Sequence, residues 1–259
     1  MAYMKVLLFL ISSMLISVTR LPGQAIRFLN AGVVEYEKTI NMYGVIRKSL
    51  LDDNQTLQVQ AFEQYRMSHT QFEKEHSLLM FSGNKTLFTP KDERLPQTFF
   101  SNLPFAKQDN IVFADYNTGQ AINQKSIFED IFLLKDSITR VKWKITDERR
   151  DIAGFHCRRA NGLMMDSIYI VAFFTDEIQI SAGPESFNGL PGLILGVVLP
   201  HEYVSWFAVS VISQLPADNF PRPPQKGKVI TYKELVTTLK AASSNWGPHA
   251  RGYLKSFLF

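Results

Sequence analysis

The sequence predicts a mainly β protein of the α+β kind. Its expected form is a strongly curved antiparallel sheet, an open half-barrel or bowl, with one or two helices and the C-terminal helix packed on the sheet. Three observations predict this. Residues 33–42 alternate, with Val34, Tyr36, Lys38, Ile40 and Met42 on one face and Glu35, Glu37, Thr39 and Asn41 on the other, the period of a half-buried strand. Between residues 111 and 174, short apolar runs follow one another with turn signals between them, as in an antiparallel meander. Helical signals are confined to residues 54–67 and to the stretch after Thr231.

The chain opens MAYMKVLLFLISSMLISV, with Lys5 as its only charge and an apolar run from Val6 to Val18 that ends before Arg20. Small residues in 19–25 complete the pattern of a secretory signal. The run falls short of the roughly 20 apolar residues that span a bilayer. Residues 1–25 are therefore expected to be a removed signal peptide. The mature chain is expected to have no transmembrane segment and to reside in the periplasm, or to be outer-membrane-associated or secreted. Cys157 is the single cysteine, so neither a lipid-modified cysteine at the cleavage site nor a disulfide is expected. Loss of residues 1–25 removes Lys5 and Arg20 and no acid, leaving 26 basic and 24 acidic residues without a run of Lys or Arg. That balance gives no electrostatic footprint for nucleic acid.

After the first strand, residues 54–67 carry two patterns. Leu57, Ala61 and Tyr65 lie four apart, while Leu57, Val59 and Ala61 alternate; the helical reading is favoured. Residues 76–81 and 85–88 flank Ser82-Gly83-Asn84, a hairpin turn signal. Residues 89–110, with three prolines and little periodicity, predict a long loop. IVFADY and AINQKSIF flank Asn117-Thr118-Gly119-Gln120, and IFLLKDSI, VKWKITD, HCRRANGL and DSIYIVAFF follow as further strands. Residues 214–228 hold Pro216, Pro221, Pro223 and Pro224, which suit a linker or an arm covering a sheet edge. Thr231-Tyr232-Lys233-Glu234 is a capping box opening a helix that reaches about Ser243. The division expected is a curved β domain over 26–213 and a proline-rich arm with its helix over 214–259.

No convincing catalytic set emerges. No G-x-S-x-G elbow is present. His156 and Cys157 are neighbours, and on a strand they point to opposite faces; Cys157 reads as a buried structural thiol. His156 and His201 can share an ion only if tertiary structure brings them together. Acid pairs such as Asp176-Glu177 read as solvated turn charges. Aromatic residues make up 12% of the chain, and Phe173-Phe174 and Trp206-Phe207 sit in predicted strands. Core packing explains most of these rings, while an outward ring of each pair offers a ligand surface if it sits in a hollow. The candidate surface is thus Phe173, Phe174, Trp206, His201 and His156.

Residues 141–213 resemble the GLPGLI family of exported Bacteroidota proteins. The resemblance rests on Gly189-Leu190-Pro191-Gly192-Leu193-Ile194 and on Ile152-Ala153-Gly154-Phe155-His156-Cys157-Arg158-Arg159-Ala160. Ala172-Phe173-Phe174-Thr175-Asp176-Glu177-Ile178 and Gly183-Pro184 also resemble the family's segments, with Phe173 in place of the usual tryptophan and Gly196 in place of a more usual acid. The resemblance implies a bowl-like sheet similar to the N-terminal domain of secreted peptide N-glycosidases, and a setting near TonB-dependent outer-membrane transporters. It supplies no catalytic residues and no cofactor.

The motif itself offers no side chain that moves a proton or ligates a metal. Proline at its third position and glycine at its fourth suit a type II turn over 190–193, followed by a strand buried on both faces. The expectation is an architectural corner. The function expected is a non-enzymatic periplasmic binding or accessory protein that presents a peptide, glycan or apolar ligand surface, or docks on a TonB-dependent transporter. Its rivals are a hydrolase pairing Asp176 or Glu185 with His201, and a metal-handling protein using His156 and His201.

Overall fold

The computed structural model describes residues 29–51, 56–91, 98–100, 103, 105–106, 108–127, 129–165, 167–215, 220–244 and 250–258; the expected signal segment, residues 1–25, lies outside them. The strands are β1 (Ala31–Asn41), β2 (Phe72–Ser82), β3 (Lys85–Pro90), β4 (Ile111–Asp115), β5 (Gln120–Ile127) and β6 (Asp130–Ser137). They continue with β7 (Lys142–Ile152), β8 (Phe155–Met164), β9 (Ile168–Thr175), β10 (Leu193–Leu199), β11 (Val204–Ile212) and β12 (Lys228–Ile230). The helices among the described residues are α1 (Met42–Leu51), α2 (Thr56–Ser68), α3 (Tyr232–Ala242) and α4 (Ala250–Leu258).

All twelve strands among the described residues form one open sheet in the order β12-β6-β5-β4-β3-β2-β1-β11-β10-β9-β8-β7. Neighbours are antiparallel except β12 and β6. Two meanders meet where β1 pairs with β11. The hairpin of β2 and β3 turns at Gly83 and Asn84, where Ser82 faces Lys85 and Gly83 has φ +54°. In a flat sheet β7 lies about 19 Å from β11, four strand spacings away. Yet the Arg150 guanidinium of β7 sits 4.7 Å from the Phe207 ring centre of β11. Ile152 also reaches the space beside Gly196 of β10. This half of the sheet is therefore strongly curled.

The inner face of β1 alternates as its sequence requires, with Val34, Tyr36, Lys38 and Ile40 all buried. Segment 176–192 lies on that inner face, burying Ile178, Ile180, Ala182, Phe187 and Leu190 in the main core. Phe187 packs edge-on against Trp206 at 5.9 Å. Strand β10 is buried along nearly its whole length, in line with its unbroken apolar sequence.

One expectation changes here. The helices are four among the described residues, where one or two were expected. Helix α1 starts directly at the end of β1, with the Asn41 carboxamide oxygen accepting from the Gly44 N–H at 3.1 Å. An alternating pattern that runs into Met42 hides that start. In α2, Phe62 and Tyr65 are the buried pair, and Leu57 is exposed. Past the proline-rich stretch the chain forms β12, the outermost strand, parallel to β6. Helix α3 opens with the expected capping box at Thr231 and Glu234. It joins a second apolar cluster of Ile127, Phe132, Leu134, Ile230, Leu235 and Leu239.

Candidate functional site: a charged hollow in the concave face

Three neighbouring strands place the site. Register sets Lys38 of β1 directly between Glu75 of β2 and Trp206 of β11. The Lys38 ammonium lies 3.2 Å from the Glu75 carboxylate, donates to the Ala106 carbonyl at 3.4 Å, and stands 5.7 Å from the Trp206 ring centre. Two residues further along β2, Ser77 faces Tyr36 on one side and Pro90 on the other. Segment 176–192 brings Glu185 to this place from above. Lys38, Glu75, Ser77, Phe88, Gln108 and Glu185, with Trp206 behind them, line a hollow of about 40 Å³. That is room for about three water molecules. Glu75 is its solvent side, with its side chain 32% exposed.

The electrostatics are unusual for a core. Lys38, Lys125 and Glu185 are all buried. Glu185 accepts from the Asn110 amide at 3.0 Å. Burial pushes its carboxyl above the ordinary glutamate value, against the opposing pull of Asn110, Lys38 and Lys125 and with a smaller push from Glu75. Burial likewise pulls Lys125 down to about 8, with Glu185 opposing. Charges this deep are retained only where partners answer them. Glu185 also carries φ +50°, a left-handed conformation that costs a non-glycine residue roughly 1–2 kcal/mol. Two neutral side chains of the lining, Ser77 through Oγ and Gln108 through Oε1, hold buried polar atoms with no hydrogen-bond partner among the described residues, and the Asp109 carboxylate adds a third acid to the lining beside Glu75 and Glu185.

The residues singled out in the sequence lie mostly elsewhere. Trp206 is buried in the wall of the hollow. Phe173 and Phe174 are both buried; Arg150 covers Phe173 together with Phe207, and Arg158 lies over Phe174. The ring of each pair expected to face outward is thus capped by an arginine or by the core. His156 is exposed at the start of β8, with Nδ1 2.6 Å from Asp151, which raises its pKa. His201 follows β10, its ring 6.2 Å from that of Tyr169. Register puts Tyr169 at the far end of β9 from Thr175, while His156 pairs beside the Asp176 end. The two histidines are therefore about 20 Å apart. No hydrogen bond or ion pair joins His201 to Asp176 or Glu185, and among the described residues no cluster of three His, Cys, Asp or Glu suits a metal ion. Cys157 is a buried free thiol pushed up to about 12 by burial, so it stays protonated and unreactive at neutral pH.

The corner at residues 189–194 differs in type from the turn expected. The Gly192 N–H donates to the Leu190 carbonyl at 2.9 Å, and the Leu193 N–H goes to Ile178 instead of closing a type II turn. This is a three-residue turn centred on Pro191. Gly192 has φ +148°, and a Cβ there would meet the Thr175 carbonyl at 2.0 Å. Gly189 lies against the Trp143 indole, whose N–H donates to the Asn188 carbonyl at 2.8 Å. The corner thus fixes where segment 176–192, and with it Glu185, is returned to the sheet. Sequence reading missed the hollow itself. Its signal was Lys38, a charge within an apolar alternation.

A family model described as a protein of unknown function (Porph_ging) matches residues 163–196, from β8 through the corner into β10. No curated protein matches the chain. Two solved structures of PNGF-II are similar at 13% identity: the P21 form with a TM-score of 0.49 over 84% of this chain, and the C2 form with 0.46 over 78%. The chain covers 34% and 30% of those two chains, about a third of PNGF-II.

Proposed function

We propose that this protein is an exported, non-enzymatic binding or accessory protein of the periplasm, and that its ligand places a small polar group in the hollow between β1, β2, β11 and segment 176–192. One observation carries the reading. Ser77 is buried with its hydroxyl unpartnered among the described residues, at the wall of a hollow that opens past Glu75. A buried hydroxyl without a partner costs roughly 1–3 kcal/mol; a ligand group supplying the missing hydrogen bond recovers it. The left-handed backbone of buried Glu185 adds weight, since such strain concentrates at functional sites. Export rests on the residue pattern of 1–25, and docking near a TonB-dependent transporter rests on the resemblance of residues 141–213.

Native mass spectrometry of the protein purified from its own periplasm tests this. The expected result is a small-molecule adduct, or a co-purifying outer-membrane partner, that is lost in Ser77→Val. A wild-type mass equal to the bare chain, with no partner, overturns it.

A further inference from the structure

The hollow has more to say about the kind of group it takes, granted the binding reading above. Its charges are already answered. The Lys38 ammonium has Glu75 at 3.2 Å and the Trp206 face beside it, and Glu185 has the Asn110 amide and lies in the field of both lysines. Lys38 already sets a cation among the acids of the lining, and a ligand anion would meet Glu75, Asp109 and Glu185 as an added like charge in a place poor in water. Beside these charges stand two neutral side chains with buried atoms that lack a partner among the described residues. Gln108 Oε1 only accepts, so the ligand must donate to it. Ser77 Oγ both donates and accepts. The volume, about 40 Å³, admits a head of two or three heavy atoms and no ring.

We infer that the hollow is a binding site for an uncharged head that both gives and takes hydrogen bonds, a hydroxyl or a primary carboxamide, and that it discriminates against carboxylates. The apolar wall of Phe88 and Pro90 suits the carbon atoms that carry such a head.

The test uses the mature full chain and four small probes: ethylene glycol, acetamide, acetate and methylammonium. Each is titrated while the amide signals of Ser77 and Lys38 and the Trp206 indole N–H are followed by NMR. Ethylene glycol or acetamide should give saturable shifts at these groups, at least tenfold tighter than acetate. Response to the glycol alone assigns a polyol or sugar hydroxyl, and response to acetamide alone assigns a carboxamide; both support the site. The response should weaken at least fivefold in Ser77→Val, whose amide spectrum checks that it folds. Equal or tighter binding of acetate, or tighter binding of methylammonium than of both neutral probes, overturns the inference and leaves the binding reading standing. Silence of these groups towards all four probes, with an adduct still found in the native mass, moves the ligand elsewhere and also overturns it.

Discussion

Tyr36 shows how one side chain holds the curled half of the sheet. Strand β10 has a bulge between Ile194 and Gly196, where its register with β9 shifts. The Ile194 carbonyl there is met by the Tyr36 phenol, which donates to it at 2.6 Å from two strands away. Removing that hydroxyl leaves a buried carbonyl alone, so Tyr36→Phe should lower the unfolding free energy by roughly 1–3 kcal/mol in urea denaturation; a change below about 0.5 kcal/mol would mean the carbonyl finds water. Gly192→Ala is a harsher change. Its methyl group would enter the Thr175 carbonyl, and the backbone must move, so a loss of at least about 3 kcal/mol and a clear fall in Tm are expected. An alanine variant that melts like the wild type would show that the corner relaxes freely. At this scale the sequence showed that Gly192 matters and misread the turn it makes, because the hydrogen bond that decides the turn type runs from Leu193 to Ile178, fifteen residues earlier. Lys38 was legible as a member of the buried face. Its partners Glu75 and Glu185 were not, because one lay outside the strand as read and the other is brought in by tertiary structure alone.

Elements with their own local signals were legible: the alternation of β1, the Gly83-Asn84 hairpin, the meander of β4 to β9, and the capping box of α3. Helix α1 was hidden because it follows β1 without a linker. The order of the sheet was hidden because β1 pairs with β11 across 164 or more residues of chain between their facing positions, and the Tyr36 bond to Ile194 of β10 spans 158. Helix α3 offers the clearest test of an element. The Thr231 hydroxyl accepts from the Glu234 N–H at 3.3 Å, while the Glu234 carboxylate takes the Thr231 N–H at 2.8 Å. Both backbone bonds hold the start of a helix that buries Leu235 and Leu239. Thr231→Ala should cost about 1 kcal/mol and speed hydrogen exchange in α3 without altering the β1–β2 amides. Equal acceleration in both regions would show that α3 and the sheet unfold as one unit.

The whole molecule folds around buried charge, and this makes its stability depend on pH in a defined direction. Lys125 holds its proton to about 8 in the folded chain, against 10.5 for the ordinary side chain, because burial disfavours its charge more than Glu185 supports it. Between those values the unfolded chain binds more protons than the folded one, so unfolding free energy rises with pH through this window. The full shift is worth of order 3 kcal/mol. Other groups act in the opposite sense. Cys157 is raised from 9.0 to about 12, and Tyr36, Tyr65 and Tyr116 are raised from 10.0, each mainly by burial. Their contribution is fully present below the unfolded values and is lost as pH climbs past them. The wild-type curve should therefore rise from about pH 8 and turn over between about pH 9 and 10. Lys125→Met removes the rising limb and leaves the falling one, so the variant should be the more stable protein at pH 7 and should lose that advantage by pH 10. Urea denaturation at half-unit steps from pH 7 to 10 reads both curves. Parallel curves across that range would place Lys125 in contact with water and remove the argument that the concave face is dry around its charges.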